Sequence, residues 1–144
     1  MLILSLFPGI DLLGRAFEAE GFLVVRGPDV IFGQDVRQFH LQPGHFSGII
    51  AGSPCQQFSR KRRHPPTREG IELLTEFARL VYEGQPDWWL LENVPNVPAV
   101  EVEGYQTQRC YLDAREVGCA QSRLRIFQFG TRGPGTPHGT GPLP

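Results

Sequence analysis

The stretch Ala51-Gly52-Ser53-Pro54-Cys55-Gln56-Gln57-Phe58-Ser59 carries more information than any other part of the chain. It sets one cysteine behind a Gly-Ser-Pro turn at the end of an apolar run, Phe46 to Ala51. An apolar strand that ends in such a turn delivers a side chain to the rim of a sheet, where α/β proteins bind their ligands. A thiol at that rim, followed by Ser59 and the basic run Arg60-Lys61-Arg62-Arg63, is placed to attack something polyanionic.

The rest of the chain fits such a sheet. Its 144 residues suffice for one domain with a real core, and 40% hydrophobic with 20% charged residues is a globular composition. The net charge of -1 means that affinity for phosphate must come from local clustering. No apolar stretch approaches the ~20 residues of a membrane span. Met1 to Phe7 lacks the basic flank and small-residue cleavage site of a signal peptide, and reads as a first buried strand. Cys55, Cys110 and Cys119 make an odd count without dense spacing. That favours reduced thiols in a cytosol and suggests no metal site. Cys110 and Cys119 have no motif around them and read as small buried hydrophobes.

Leu2 to Phe7 is a continuous apolar run, as in a strand covered on both faces. After Pro8-Gly9, Ile10 to Glu20 places Leu13 and Phe17 at helical spacing and stops at Gly21. Phe22 to Val25 and Phe46 to Ala51 read as strands. Arg68 to Glu83 carries Ile71, Leu74, Phe77, Ala78 and Val81 on one face, an amphipathic helix. Trp88 to Leu91 is a buried strand that ends at Glu92-Asn93-Val94, so both tryptophans read as core. This order predicts an α/β fold, a mostly parallel sheet with helices on both faces. Tyr105 to Leu112 and Arg125 to Phe129 alternate in polarity around Ala114 to Ala120, and predict an antiparallel hairpin at one edge. Residues 131–144, nearly all Gly, Pro and Thr, read as a flexible tail.

Four clusters fall at strand ends: Phe7-Pro8-Gly9-Ile10-Asp11, Gly52-Ser53-Pro54-Cys55, Glu92-Asn93-Val94 and Gln121-Ser122-Arg123-Leu124-Arg125. In a parallel sheet the first three share one rim. Together and in this order they closely resemble the cytosine-5 DNA methyltransferase family over roughly Ser5 to Gly130. Gly-Ser-Pro-Cys-Gln resembles that family's nucleophile motif, and Glu92-Asn93-Val94 its acid motif. Gln121-x-Arg123-x-Arg125 resembles its arginine motif, and Phe7-x-Gly9 its methyl-donor loop. Arg26-Gly27-Pro28-Asp29 and the short connection Pro95 to Gly104 look most like the compact phage-type members.

The resemblance implies a Rossmann-like catalytic domain over residues 1–130 and S-adenosylmethionine as methyl donor. Its substrate is a cytosine flipped out of DNA. Cys55 would be the nucleophile that adds at carbon 6. A free thiol has a pKa of ~8.5 and needs positive charge nearby to ionise at neutral pH. Glu92 would relieve charge at N3 as a protonated carboxyl, and partial burial would raise its pKa toward that role. Arg123 would steady the base, and Arg125 the surrounding loop or phosphate. Phe7, Gly9, Ile10 and Pro54 would line the donor pocket, Asp29 would meet the ribose hydroxyls and Asp35 the adenine amino group. Ser59, Arg60, Lys61, Arg62 and Arg63 would contact DNA phosphates, with salt-sensitive binding.

Two departures from the family pattern matter. Asp11-Leu12-Leu13 stands where most members have further glycines, tolerable if the Asp11 carboxylate caps the following helix. No target-recognition segment is read after the arginine motif, so weak or no sequence-specific methylation by this chain alone is expected, and a second subunit is one way to supply recognition. Two other readings stay open. One is an RNA cytosine substrate, and the other a non-catalytic donor- or DNA-binding module of a split enzyme.

Overall fold

The computed structural model describes residues 1–8, 11–28, 34–52 and 68–134, with side chains in the last run described from residue 71 onward. The chain forms one six-stranded sheet with two α-helices among the described residues. Strand β1 is Leu2–Leu6, β2 Leu23–Arg26, β3 Gly48–Gly52, β4 Trp88–Asn93, β5 Tyr105–Asp113 and β6 Leu124–Arg132. Helix α1 spans Leu12–Ala19 and α2 spans Arg68–Gly84. The strand order is β2-β1-β3-β4-β6-β5, the first four parallel and the last two antiparallel. This is the expected sheet with an edge hairpin.

The hairpin docks through its second strand, so that β6 lies against β4 and β5 becomes the outer edge. Strand β6 also runs to Arg132, two positions past the domain end expected from the sequence. The described part of the Gly/Pro tail is short, and residues 135–144 lie outside the described residues.

Alternation along the strands sends two sets of side chains to opposite faces. Leu4, Leu6, Ile49, Ala51, Trp89 and Leu91 form one face and pack with Leu74, Phe77, Leu80 and Val81 of α2. On the other face, Phe17 of α1 stacks on Trp88 with ring centroids 5.6 Å apart, and Phe22 and Phe129 close around the same indole. The amphipathic reading of α2 needs one adjustment. Leu80 is fully buried, while Ile71 is 51% exposed and lies outside the apolar stripe.

The two tryptophans are core residues as expected, but each lies over a glycine of a neighbouring strand. A Cβ on Gly48 would overlap the Trp88 ring, and one on Gly130 would overlap Trp89 Cε2 and Nε1. The connection from β4 to β5 is locked as well. Val94, Val97, Val100 and Val102 are all buried. The buried Gln128 side chain accepts from the Val100 amide at 2.9 Å and donates to its carbonyl at 2.5 Å.

The Trp89–Gly130 contact yields a test. Gly130→Ala should destabilise the protein by roughly 1–3 kcal/mol, because a buried indole has nowhere to move. Urea unfolding should show a lower midpoint with an unchanged slope. An unchanged midpoint would mean that Trp89 is not seated on β6.

Candidate active site

The strand register sets three strand exits side by side at one rim. Leu6 pairs with Ala51, and Gly52 pairs with Glu92, so the exits of β1, β3 and β4 lie side by side. The chain leaves β1 toward β2 on one side and returns to β3 on the other. The crevice at such a switch point is where α/β sheets bind ligands.

Glu92 sits at the carboxyl end of β4 with its side chain 29% exposed. Its Oε2 lies 3.3 Å from where a Cβ on Gly52 would stand, so the carboxyl leans over the exit of β3. Arg125 Nε approaches its Oε1 at 3.2 Å, because β6 runs antiparallel beside β4 and pairs Ile126 with Asn93. Burial raises the Glu92 carboxyl above its ordinary value, against the lowering pull of Arg125 and then Arg123. Glu92 therefore takes up a proton more readily than a free carboxyl, with a cation beside it. The neighbouring Asn93 is buried, and its side-chain oxygen accepts from the Val94 amide at 2.8 Å, which fixes the exit of β4.

Arg123 lies at the exposed start of the hairpin's second strand, and its side chain faces solvent. Its backbone is held by Asp113, a residue that motif reading passed over. Asp113 accepts from Ser122 Oγ at 2.5 Å, from the Arg115 amide at 3.0 Å and from the Arg123 amide at 3.2 Å. The Ser122 hydroxyl, with these amides, holds the Asp113 carboxyl well below the usual carboxylate range. Its place one residue before the Ala114 turn, where a short carboxylate caps exposed amides, was the available signal.

The donor side is partly visible. Phe7 follows β1 with φ 51° and packs against the core, and Asp11 caps α1 by accepting from the Gly14 amide at 3.0 Å. That cap is the one expected for the sequence's departure at position 11. Asp35 caps the 3-10 turn Val36–Gln38. Its carboxylate is engaged by Arg37 at 2.9 Å, which lowers its pKa. Arg79 of α2 anchors this segment, donating to the Val36 and Phe39 carbonyls at 3.1 and 2.9 Å and pairing with the buried Glu83 at 2.7 Å. Burial alone would raise Glu83, but Arg79, the Leu41 amide and His40 hold it below its ordinary value. The contacts of Arg79 and Glu83 with Val36, Phe39 and Leu41 gave no sequence signal, because those partners lie about 40 residues away.

Gly9, Ile10, Asp29, Pro54, Cys55, Ser59, Arg60, Lys61, Arg62 and Arg63 lie outside the described residues. Cys110 and Cys119 are exposed, which corrects their reading as small buried hydrophobes. Cys110 falls on the outer edge strand and Cys119 in the hairpin connection, where nothing covers a side chain. Among the described residues no group of His, Cys, Asp and Glu could hold a metal ion, and no helix is long and apolar enough to cross a membrane.

Known proteins share this arrangement. The sequence model of the C-5 cytosine-specific DNA methylases matches residues 29–138, more than half of the chain. The Type II methylase M.HgiDII of Herpetosiphon aurantiacus is 28% identical over 90% of this chain and 47% of its own length. The Type II methyltransferase M.FnuDI of Fusobacterium nucleatum is 30% identical over 92% of this chain and 47% of its own. Among solved structures, a protein assigned as a DNA modification methyltransferase, encoded within an E. coli prophage, superposes with a TM-score of 0.73. It is 24% identical and covers 92% of this chain with 47% of its own. DNMT2 of Spodoptera frugiperda gives 0.66 at 21% identity, over 94% and 51% of the two chains. The fold is thus that of methyltransferases, and the chain spans about half the length of the relatives it matches.

Two outcomes test the site. A raised Glu92 pKa favours folding below the ordinary carboxyl value of 4.5, and that contribution is lost as pH rises through the raised value. Glu92→Gln should therefore match the wild type near pH 4 and melt higher at pH 8, on the order of 2–4 °C for each kcal/mol. A variant that melts lower at pH 8 would show that the ion pair with Arg125 outweighs burial. Asp113→Ala should speed amide exchange at Arg115 and Arg123 by about tenfold, while amides of β4 keep their protection. Unchanged exchange would deny Asp113 its hold on the hairpin.

Proposed function

Because this chain belongs to the C-5 cytosine-specific DNA methylase family, we propose that residues 1–130 form the catalytic lobe of a DNA cytosine-5 methyltransferase. The observation that carries it is the half-buried Glu92, its pKa raised and Arg125 at 3.2 Å, leaning over the exit of the strand that leads to Cys55.

Cys55 would add as thiolate to carbon 6 of a flipped cytosine, with Glu92 giving its proton to N3 so that no charge is left on the ring. Carbon 5 then carries the electron density for methyl transfer. S-adenosylmethionine, held in the donor site, would supply an electrophilic methyl group with a neutral thioether as its leaving group. Loss of the carbon-5 proton to solvent water and of the Cys55 thiolate would restore the aromatic ring, and Glu92 would recover its proton from N3. Arg125 stabilises the carboxylate that Glu92 becomes in between, and Arg123 steadies the base.

The donor would lie against Phe7, Gly9, Ile10 and Pro54, with Asp29 at the ribose and Asp35 at the adenine. The described part of this set fits. Left-handed backbone at Phe7 turns the chain sharply at the rim, and Asp35 is a carboxylate anchored at the cap of the turn Val36–Gln38 and paired with Arg37. Ser59 and Arg60 to Arg63 would hold phosphates. In this reading base recognition would come from a second subunit. The cytoplasm of a bacterial or phage-infected cell is the setting that such relatives suggest.

The test is covalent trapping. With S-adenosylmethionine and DNA containing 5-fluorocytosine, the wild-type chain should form an adduct that survives a denaturing gel, because fluorine blocks the final elimination. Cys55→Ser should form none. Donor binding without an adduct on any DNA would favour a non-catalytic module, and an adduct on RNA alone would reassign the substrate.

A further inference from the structure

Two of the non-glycine residues with left-handed backbone, Phe7 (φ 51°) and Asp11 (φ 55°), bracket the turn that leaves β1. Such conformations are unfavourable for any residue with a Cβ and persist only where surrounding contacts over-determine them. At Asp11 those contacts are visible. Its amide donates to the Pro8 carbonyl at 2.6 Å. Its Oδ1 accepts from Ser5 Oγ at 2.8 Å and from the Gly14 amide at 3.0 Å, and Arg26 Nε stands 2.8 Å from Oδ2. One buried carboxylate is therefore shared by β1, the first turn of α1 and the end of β2. Arg26 also grips Glu18 of α1 through both terminal nitrogens, at 2.9 and 3.1 Å.

Gly14 carries the second half of the argument. A Cβ there would stand 2.5 Å from Asp11 Cγ and would overlap Oδ2, so the carboxylate occupies the space that a side chain at residue 14 would take. The volume between Ser5, Arg26 and α1 holds one carboxylate, and a side chain at residue 14 would enter the same volume. A glycine at residue 11 would adopt the left-handed turn at no steric cost.

We propose that Asp11 is the positioning residue of the donor turn. Its carboxylate ties both ends of the Phe7–Asp11 turn to β2 and α1, and the same carboxylate presented from residue 14 would serve in its place. Asp11 touches no donor atom in this scheme and acts through the backbone it holds. The proposal rests on the donor site described under the proposed function.

The test is calorimetric titration of S-adenosylhomocysteine into the full chain, well below each variant's unfolding midpoint. The variants are Asp11→Asn, Asp11→Gly and Asp11→Gly/Gly14→Asp. The two single variants should lose about tenfold or more in affinity, the scale of a charge-assisted hydrogen bond. The double variant should return to within about threefold of wild type, a rescue that a general loss of stability would not produce. Wild-type affinity in folded Asp11→Gly, or a folded double variant that stays as weak as Asp11→Gly, would overturn the proposal. A wild-type chain that binds no donor would instead remove the donor site itself, and the positioning role with it.

Discussion

Trp88 and Trp89 are adjacent on the central strand β4, and the pleat sends their indoles to opposite faces of the sheet. Each lies over a glycine of a neighbouring strand, Gly48 of β3 and Gly130 of β6. The two rings thus clamp the parallel half of the sheet to the antiparallel hairpin, one from each side. A slip of one residue would turn every side chain to the wrong face and drive an indole into a Cβ. The register is what sets Gly52 opposite Glu92 and brings Arg125 across to it. The chemistry at the rim depends on two bulky side chains whose own role is packing.

A second layer of order comes from buried or half-buried polar groups at the loops. Asp11 gathers the turn after β1, Glu83 and Arg79 hold the segment behind Asp35, Gln128 pins the connection after β4, and Asp113 shapes the hairpin that presents Arg123. Each satisfies loop donors or acceptors that would be costly if left unpaired. The sheet supplies a rigid rim, and these groups decide how each loop leaves it. Function placed on loops needs such anchoring to hold a reacting geometry.

The elements and the site were legible in the sequence to different degrees. Strands β1, β3 and β4 declared themselves through short apolar runs, and α2 through its apolar period, with Ile71 the one position that period misplaced. Glu92 was found because its motif stands at a strand end. Arg79 and Gln128 were not, because their backbone partners lie far along the chain, and Asp113 was marked only by its place before a turn. The exposure of Cys110 and Cys119 was hidden for a related reason. Burial depends on what lies across an edge, and an edge strand looks like any other in sequence.

Local chemistry therefore determined the element types, their order, the family resemblance and the residue types at the rim. Hydrophobic period and turn residues act over a few positions and can be read directly. Only the tertiary structure decided that the second hairpin strand enters the sheet first, so that Arg125 meets Glu92. It also decided that the Glu92 carboxyl is pushed up rather than down, and that Asp11 fills the place of a side chain at Gly14. Those outcomes depend on which surfaces exclude water and which atoms compete for one volume, and both are properties of the assembled sheet.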